Sequence, residues 1–277
     1  MAISSAWTNQ ELTPEPPPVR DVESLVEDRP ITPGGAGMDY EQVYAHGGPR
    51  YQDLVAAEDA DDELWPALTP HLEGRPRVVE IGAGTGRVTR LLRRGGLPTI
   101  ATEPSASMLA EAIRLADAGA GADADCRFCR AEAAALPFRS GIADAAVAGW
   151  VFGHQREWRP TDWRTIVAGF LAECDRVTAG GTIIVIETLG TGHERPHPSP
   201  ELAEYYDWLE TEMGFGRTWI RTDYVFPTVE AAAAITGDFF GPHFAALVRR
   251  RRWSRIPECT GIWVRPATTE PARTRAR

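Results

Sequence analysis

Arg77-Val78-Val79-Glu80-Ile81-Gly82-Ala83-Gly84-Thr85-Gly86-Arg87-Val88-Thr89 decides how the rest of the chain is read. A β-branched apolar run carrying one acid breaks into three alternating glycines, and the residues beyond them suit a helix. The pattern predicts a strand over 77–81, a tight turn and a helix over 86–94, the opening of a nucleotide-binding α/β unit. Glycine lets the backbone turn sharply and lets a ligand lie against bare main chain. The helix start that follows offers unpaired N–H groups and partial positive charge. The spacing argues against a dinucleotide fingerprint. Gly82 and Gly84 fit G-x-G-x-x-G/A, but the third slot is Arg87, whose bulk spoils the close helix–strand packing that slot serves. What stands here is G-x-G-x-G with Glu80 two residues ahead of it. An acid at that place suits a ligand with an ammonium group better than one with a pyrophosphate.

Composition narrows the field further. All 29 basic residues are arginine, and the 277-residue chain contains no lysine. A P-loop needs G-K-[ST] and a PLP enzyme needs a Schiff-base lysine, so both are excluded. A hydrophobic content of 43% is enough for a proper core. The formal net charge of −10 argues against a nucleic-acid partner. Arg249-Arg250-Arg251-Arg252 is read as a solvated face. Cys126 and Cys129 are spaced C-x-x-C but fall on a predicted strand, where side chains three apart face opposite ways, so no metal is expected there. His193 and His197 have no third ligand nearby, so no metal is expected there either. The first ten residues lack the basic start and apolar core of a signal peptide, and no apolar run is long enough for a membrane span. A cytoplasmic protein is expected, with no membrane partner.

Outward from the glycine turn the chain alternates. Strands are predicted at 99–103, 126–130, 143–151 and 182–188, with helices at 105–116 and 161–177 between them. That order implies an α/β fold, a doubly wound and mostly parallel sheet with helices on both faces. The β-branched run at 182–188 reads as a strand buried on both sides. Farther on come a loop at 189–200, a helix at 201–213, a strand at 219–226, a short helix at 228–235 and a last strand at 258–265. The domain organisation expected is a tail at 1–37, a helical lid at 38–74, a ligand-binding domain at 75–266 with a cap insertion at 190–220, and a C-terminal tail at 267–277. The aromatics Tyr205, Tyr206, Trp208, Phe215 and Trp219 either line an acceptor pocket or pack the 190–220 segment onto the sheet.

The E-x-G-x-G-x-G pattern from Glu80 to Gly86 resembles the first motif of the class I S-adenosylmethionine (SAM)-dependent methyltransferases. Three further features fall in order behind it. Glu103 stands 21 residues after Gly82, where a carboxylate can accept from both ribose hydroxyls. With Pro104-Ser105-Ala106-Ser107-Met108-Leu109 it resembles the family's D-x-S-x-x-M-L, Glu replacing Asp. Arg130-Ala131-Glu132-Ala133-Ala134-Ala135-Leu136-Pro137-Phe138 resembles G-D-A-x-x-L-P-F, again with Glu for Asp. Trp150-Val151-Phe152-Gly153-His154 ends the fourth strand, at the carboxyl edge where ligands lie in such sheets. The likeness covers roughly residues 75–190 well.

The resemblance implies a seven-stranded Rossmann-like sheet whose last strand inserts antiparallel beside the fifth. It implies SAM as cofactor, held by Glu80 at the methionine end, Gly82, Gly84 and Gly86 in the turn, Glu103 and Pro104 at the ribose, Met108 against the adenine, and Glu132 and Ala133 at the adenine edge. Trp150 would border the reacting methyl group. A lid tyrosine often lies near the SAM carboxylate, and Tyr51 matches best, ahead of Tyr40 and Tyr44. Methyl transfer needs alignment of a nucleophile with the S–CH3 bond, and a base only where the acceptor must lose a proton. His154 and His46 are the candidate bases. The expected function is methyl transfer to N, O or nucleophilic C of a small acceptor, an aromatic natural product of secondary metabolism. A homo-oligomer is compatible with this. Two other readings stay open: the fold used for a non-methylating cyclisation or elimination, and a non-catalytic SAM-binding regulator.

Overall fold

The computed structural model describes residues 48–118 and 125–268. The expected tail at 1–37, the C-terminal tail beyond residue 268, His46, Tyr40 and Tyr44 lie outside those residues. Chain order is α1 (Gly48–Ala57), α2 (Leu64–Leu72), β1 (Val78–Ile81), α3 (Arg87–Arg94), β2 (Thr99–Thr102), α4 (Ala106–Ala118), β3 (Cys126–Cys129), β4 (Ala145–Gly149), α5 (His154–Trp158), α6 (Trp163–Thr178) and β5 (Thr182–Thr191). It continues through α7 (Pro200–Thr211), β6 (Gly216–Arg221), β7 (Tyr224–Val225), α8 (Val229–Phe240), α9 (Pro242–Arg251), β8 (Arg255–Ile256) and β9 (Glu258–Arg265).

Seven strands form one sheet in the order β3-β2-β1-β4-β5-β9-β6. The first five are parallel, and β9 enters antiparallel between β5 and β6. The strand order reverses between β1 and β4, so the carboxyl ends of those two strands flank the crevice where doubly wound sheets bind ligands. Alternation in each strand supplies both faces. Val79, Ile81, Ile183 and Val185 join the cluster under α6 and α7, while Val78, Ile184 and Ile186 join the cluster under α2 and α3.

The segments after β5 depart from the expected boundaries. β5 runs on to Thr191 through an irregularity between Thr188 and Gly190, where a loop was expected. The strand expected at 219–226 is two strands. At the break, Thr222 donates its backbone N–H to Glu258, and the Asp223 carboxylate accepts from Arg221 Nε and from Glu258 N, which turns the chain out of the main sheet. The short helix expected at 228–235 extends to Phe240 and is followed by α9. Gly237 does not stop α8. It marks the place where α9 comes closest, since a Cβ there would stand 2.9 Å from Ala245. The four arginines from 249 to 252 end α9, where cations complement the helix dipole, and Arg249 pairs with Glu230 at 2.9 Å.

A third apolar cluster joins Leu54 of α1 and Met108 of α4 to β7, α8 and α9. Backbone bonds from Asp59 to Thr222 and from Ala60 to Asp223 tie the α1–α2 connection to the same region. Residues 222–257 therefore overhang one side of the crevice.

Candidate active site

A cavity of about 940 Å³ opens over the carboxyl ends of β1, β2 and β4. The glycine turn forms its floor. Gly82 and Gly84 both have positive φ, 67° and 55°, which disfavours side chains. A Cβ on Gly82 would meet Val151 at 2.6 Å, and one on Gly84 would project toward Tyr51, 3.9 Å away. Gly86 faces elsewhere: its Cβ position lies 3.3 Å from Ala112, so it brings α3 and α4 together and does not line the cavity.

Glu103, just past the end of β2, reaches back to this turn. Its Oε2 accepts from Gly84 N at 2.9 Å and its Oε1 from Ser105 N at 2.9 Å. Burial pushes the carboxyl up, against the pull of those two donors. Each oxygen keeps a lone pair, so the group can still accept from a diol above it. Glu80 lines the same floor and accepts from Thr89 Oγ1 at 2.5 Å; burial pushes its carboxyl up to about 7.

Tyr51, Pro104, Glu132, Ala133 and Trp150 all line the cavity. Met108 does not. It is fully buried in the cluster with Leu54 and Tyr224, because at this point α4 turns that side chain toward the overhang and away from the crevice. Tyr205, Tyr206, Trp208 and Phe215 also face away from it. They sit in the core under the sheet, where Tyr206 stacks on Trp263 at 4.4 Å, so packing is their role. The aromatic wall comes from Tyr224, Phe239 and Phe240 of the overhang, with Trp158 and Phe170 opposite.

Trp150 follows β4 with φ 56°, an unusual conformation for a bulky residue. Its N–H donates to Ile186 O at 2.6 Å, and the Arg87 guanidinium stacks on its ring at 4.2 Å. His154 does not end the strand; it begins α5 after a turn. It lines the cavity and stacks on Trp158 at 5.1 Å. Desolvation pushes its imidazole down to about 4, a hydrogen bond with the Trp150 backbone acting the other way. It is therefore neutral at physiological pH and able to accept a proton. Beneath the same turn Glu187 accepts from Gly153 N at 2.9 Å, and burial pushes its carboxyl up to about 8.

Two groups at the glycine turn had no local signal in the sequence: one lines the cavity, the other holds a residue that does. Glu58, in the α1–α2 connection, pairs with Arg87 at 2.6 Å, and Gln52 accepts from Thr85 at 2.7 Å. Neither lies in a motif; only the folded lid brings them to the glycine turn. Among the described residues no three His, Cys, Asp or Glu side chains gather as metal ligands, and no helix is long and apolar enough to cross a membrane. His193 and His197 stack at 4.3 Å beside a separate small pocket.

The sheet order and the glycine turn define a class I methyltransferase fold. Residues 79–186 match the family model described as a methyltransferase domain. That match and the sheet order support a class I SAM-dependent methyltransferase family. Among solved structures it is similar to the [4+2]-cyclase SpnF, at 18% identity and a TM-score of 0.53, covering 82% of this chain and 96% of that one. It is also similar to a putative type II methyltransferase from Anaeromyxobacter dehalogenans, at 14% identity and a TM-score of 0.51, covering 73% and 94%. These likenesses speak to fold alone. No curated protein matches the sequence.

Proposed function

We propose that the protein is an enzyme that binds SAM over the glycine turn and transfers its methyl group to a small-molecule acceptor. The observation that carries this reading is the Glu103 carboxylate gripping the Gly84 N–H on the floor of a cavity large enough for a nucleoside and a second molecule. SAM would supply an electrophilic methyl carbon on a sulfonium. Glu103 would accept from the ribose hydroxyls, Glu132 and Ala133 would meet the adenine edge, and Tyr51 would close over Gly84. The aromatic wall excludes water and suits an aromatic acceptor, in keeping with a role in secondary metabolism. His154, neutral and on the cavity wall, would take a proton from an acceptor that must lose one.

SAM and S-adenosylhomocysteine should raise the melting temperature, by a stabilisation of about 2.7 kcal/mol at 100 times Kd, while NAD should not. A shift with NAD and none with SAM would overturn the reading. The fold is also compatible with a second reading, in which the cavity performs a non-methylating reaction. Formation of S-adenosylhomocysteine in the presence of an acceptor separates the two.

A further inference from the structure

Space continues beyond the aromatic wall of the main cavity. A second pocket, of about 280 Å³, lies against that wall, and Thr188, Thr191 and Phe240 line both. Sheet order places this border relative to the cofactor. The glycine turn, Glu103 and Glu132 follow β1, β2 and β3, whereas Thr188 and Thr191 belong to β5, on the far side of β4. SAM held by the first group would leave the space over β4 and β5 to the acceptor, and the side pocket is the next space beyond it. Backbone bonds set the other walls of that pocket. His197 N donates to Leu189 O at 2.6 Å, Gly192 N donates to Pro257 O at 2.7 Å, and Ser199 caps α7 by accepting from Leu202 N at 3.3 Å. A Cβ on Gly190 would stand 3.0 Å from His197 O, so the two segments touch there.

The three shared residues are held differently. Thr188 donates to Glu258 Oε1 at 2.6 Å, and Thr191 also bonds to that buried carboxyl, so both threonines are fixed from behind. Phe240 is the half-buried last residue of α8, and its ring packs edge to face with Phe244 at 5.1 Å and with Tyr224 at 6.5 Å. It is the one bulky side chain of the border. A difference of a few carbons in a pocket wall is enough to select among ligands. We propose that Phe240 is a specificity-determining residue: its ring ends the acceptor site, limits the enzyme to compact acceptors and shuts longer ones out of the pocket beside His193 and His197. This inference rests on the methyl-transfer reading and adds to it the length of the acceptor.

The experiment uses the full chain saturated with S-adenosylhomocysteine and two ligands of one type, 2-phenylethanol and 6-phenylhexan-1-ol. By calorimetric titration Phe240→Ala should bind the long alcohol at least roughly tenfold tighter than the wild type does, because several more methylenes leave water, while the short alcohol changes by less than about threefold. The imidazoles of His193 and His197, which line the side pocket and stack at 4.3 Å, report where the chain goes. Their NMR resonances should shift when the long alcohol binds the variant and stay unmoved when it is added to the wild type. Equal changes for the two alcohols, no gain for the long one in the variant, or a shift of these imidazoles in the wild type overturns the inference. Should Phe240→Ala fail to fold, Phe240→Leu opens part of the same border and takes the same test. Absence of any S-adenosylhomocysteine binding would sink the methyl-transfer reading itself, whereas its binding without the length effect sinks only this narrower claim.

Discussion

The two sides of the cavity are built in different ways. One side is the glycine turn with Glu103 and Glu132, made where consecutive parallel strands end, and each group is placed by its own strand. The other is made by α1, Glu58 and the overhang at 222–257, which meet through the contacts of Leu54, Met108, Tyr224 and Phe239, the backbone bonds from 59–60 to 222–223 and side-chain bonds such as Thr222 to Glu58. The first side should therefore tolerate little change in the ligand it accepts, since backbone N–H groups form it. The second should be the adjustable one, because side chains from three separate elements make it.

Gly84→Val breaks the comparison most directly. The branched side chain would point into the cavity toward Tyr51 from a residue at φ 55°. SAM binding should vanish with the fold retained, and a normal Kd by calorimetry would remove the turn from the cofactor site. Next is Met108→Ala. Truncating a fully buried Met should cost about 2–5 kcal/mol of stability and leave SAM affinity nearly unchanged. A large rise in SAM Kd at unchanged melting temperature would return Met108 to the ligand. Glu103→Ala should weaken SAM binding by about 1.5–3 kcal/mol, the value of a hydrogen bond to a charged group, or at least roughly tenfold. An unchanged Kd in a folded variant would mean that the ribose acid lies elsewhere.

A smaller effect concerns pH. Glu187 carries its proton in the folded protein at neutral pH, whereas in the unfolded chain it ionises near the ordinary value of 4.5. Its contribution to stability is complete below that value and declines as pH rises, until it is lost near 8. Unliganded protein should thus melt progressively lower from pH 6.5 to 8.5, and Glu187→Gln should reduce the slope, with Glu80 and Glu258 contributing to what remains. A wild-type melting temperature constant over that interval would contradict the protonated carboxyl. The smallest change in SAM affinity is expected for His154→Gln, which should leave SAM Kd untouched. Because burial holds the imidazole near 4, no limb near 6–7 should appear in a rate profile, contrary to what an ordinary histidine would give. A limb at 6–7 that disappears in the variant would place the imidazole in water.

By itself the sequence determined the sheet. The alternation of strands and helices, the β-branched run of β5 and the spacing from Glu80 through Glu103 to Glu132 are local patterns. Backbone periodicity and turn chemistry make such patterns visible without neighbours. Even β9 is readable over its full length, 258–265. Only the tertiary structure decided which aromatics face the ligand. Tyr205 and Phe239 look alike along the chain, yet one lies under the sheet and the other closes the cavity, because the helix packing decides which face each presents. The same holds for Met108, whose motif suggests a ligand contact and whose side chain packs in the cluster with Leu54 and Tyr224, and for Glu58 and Glu258. These two acids lie 200 residues apart in sequence, and they share one arginine only because a buried pair is made by folding and leaves no periodic trace in the chain.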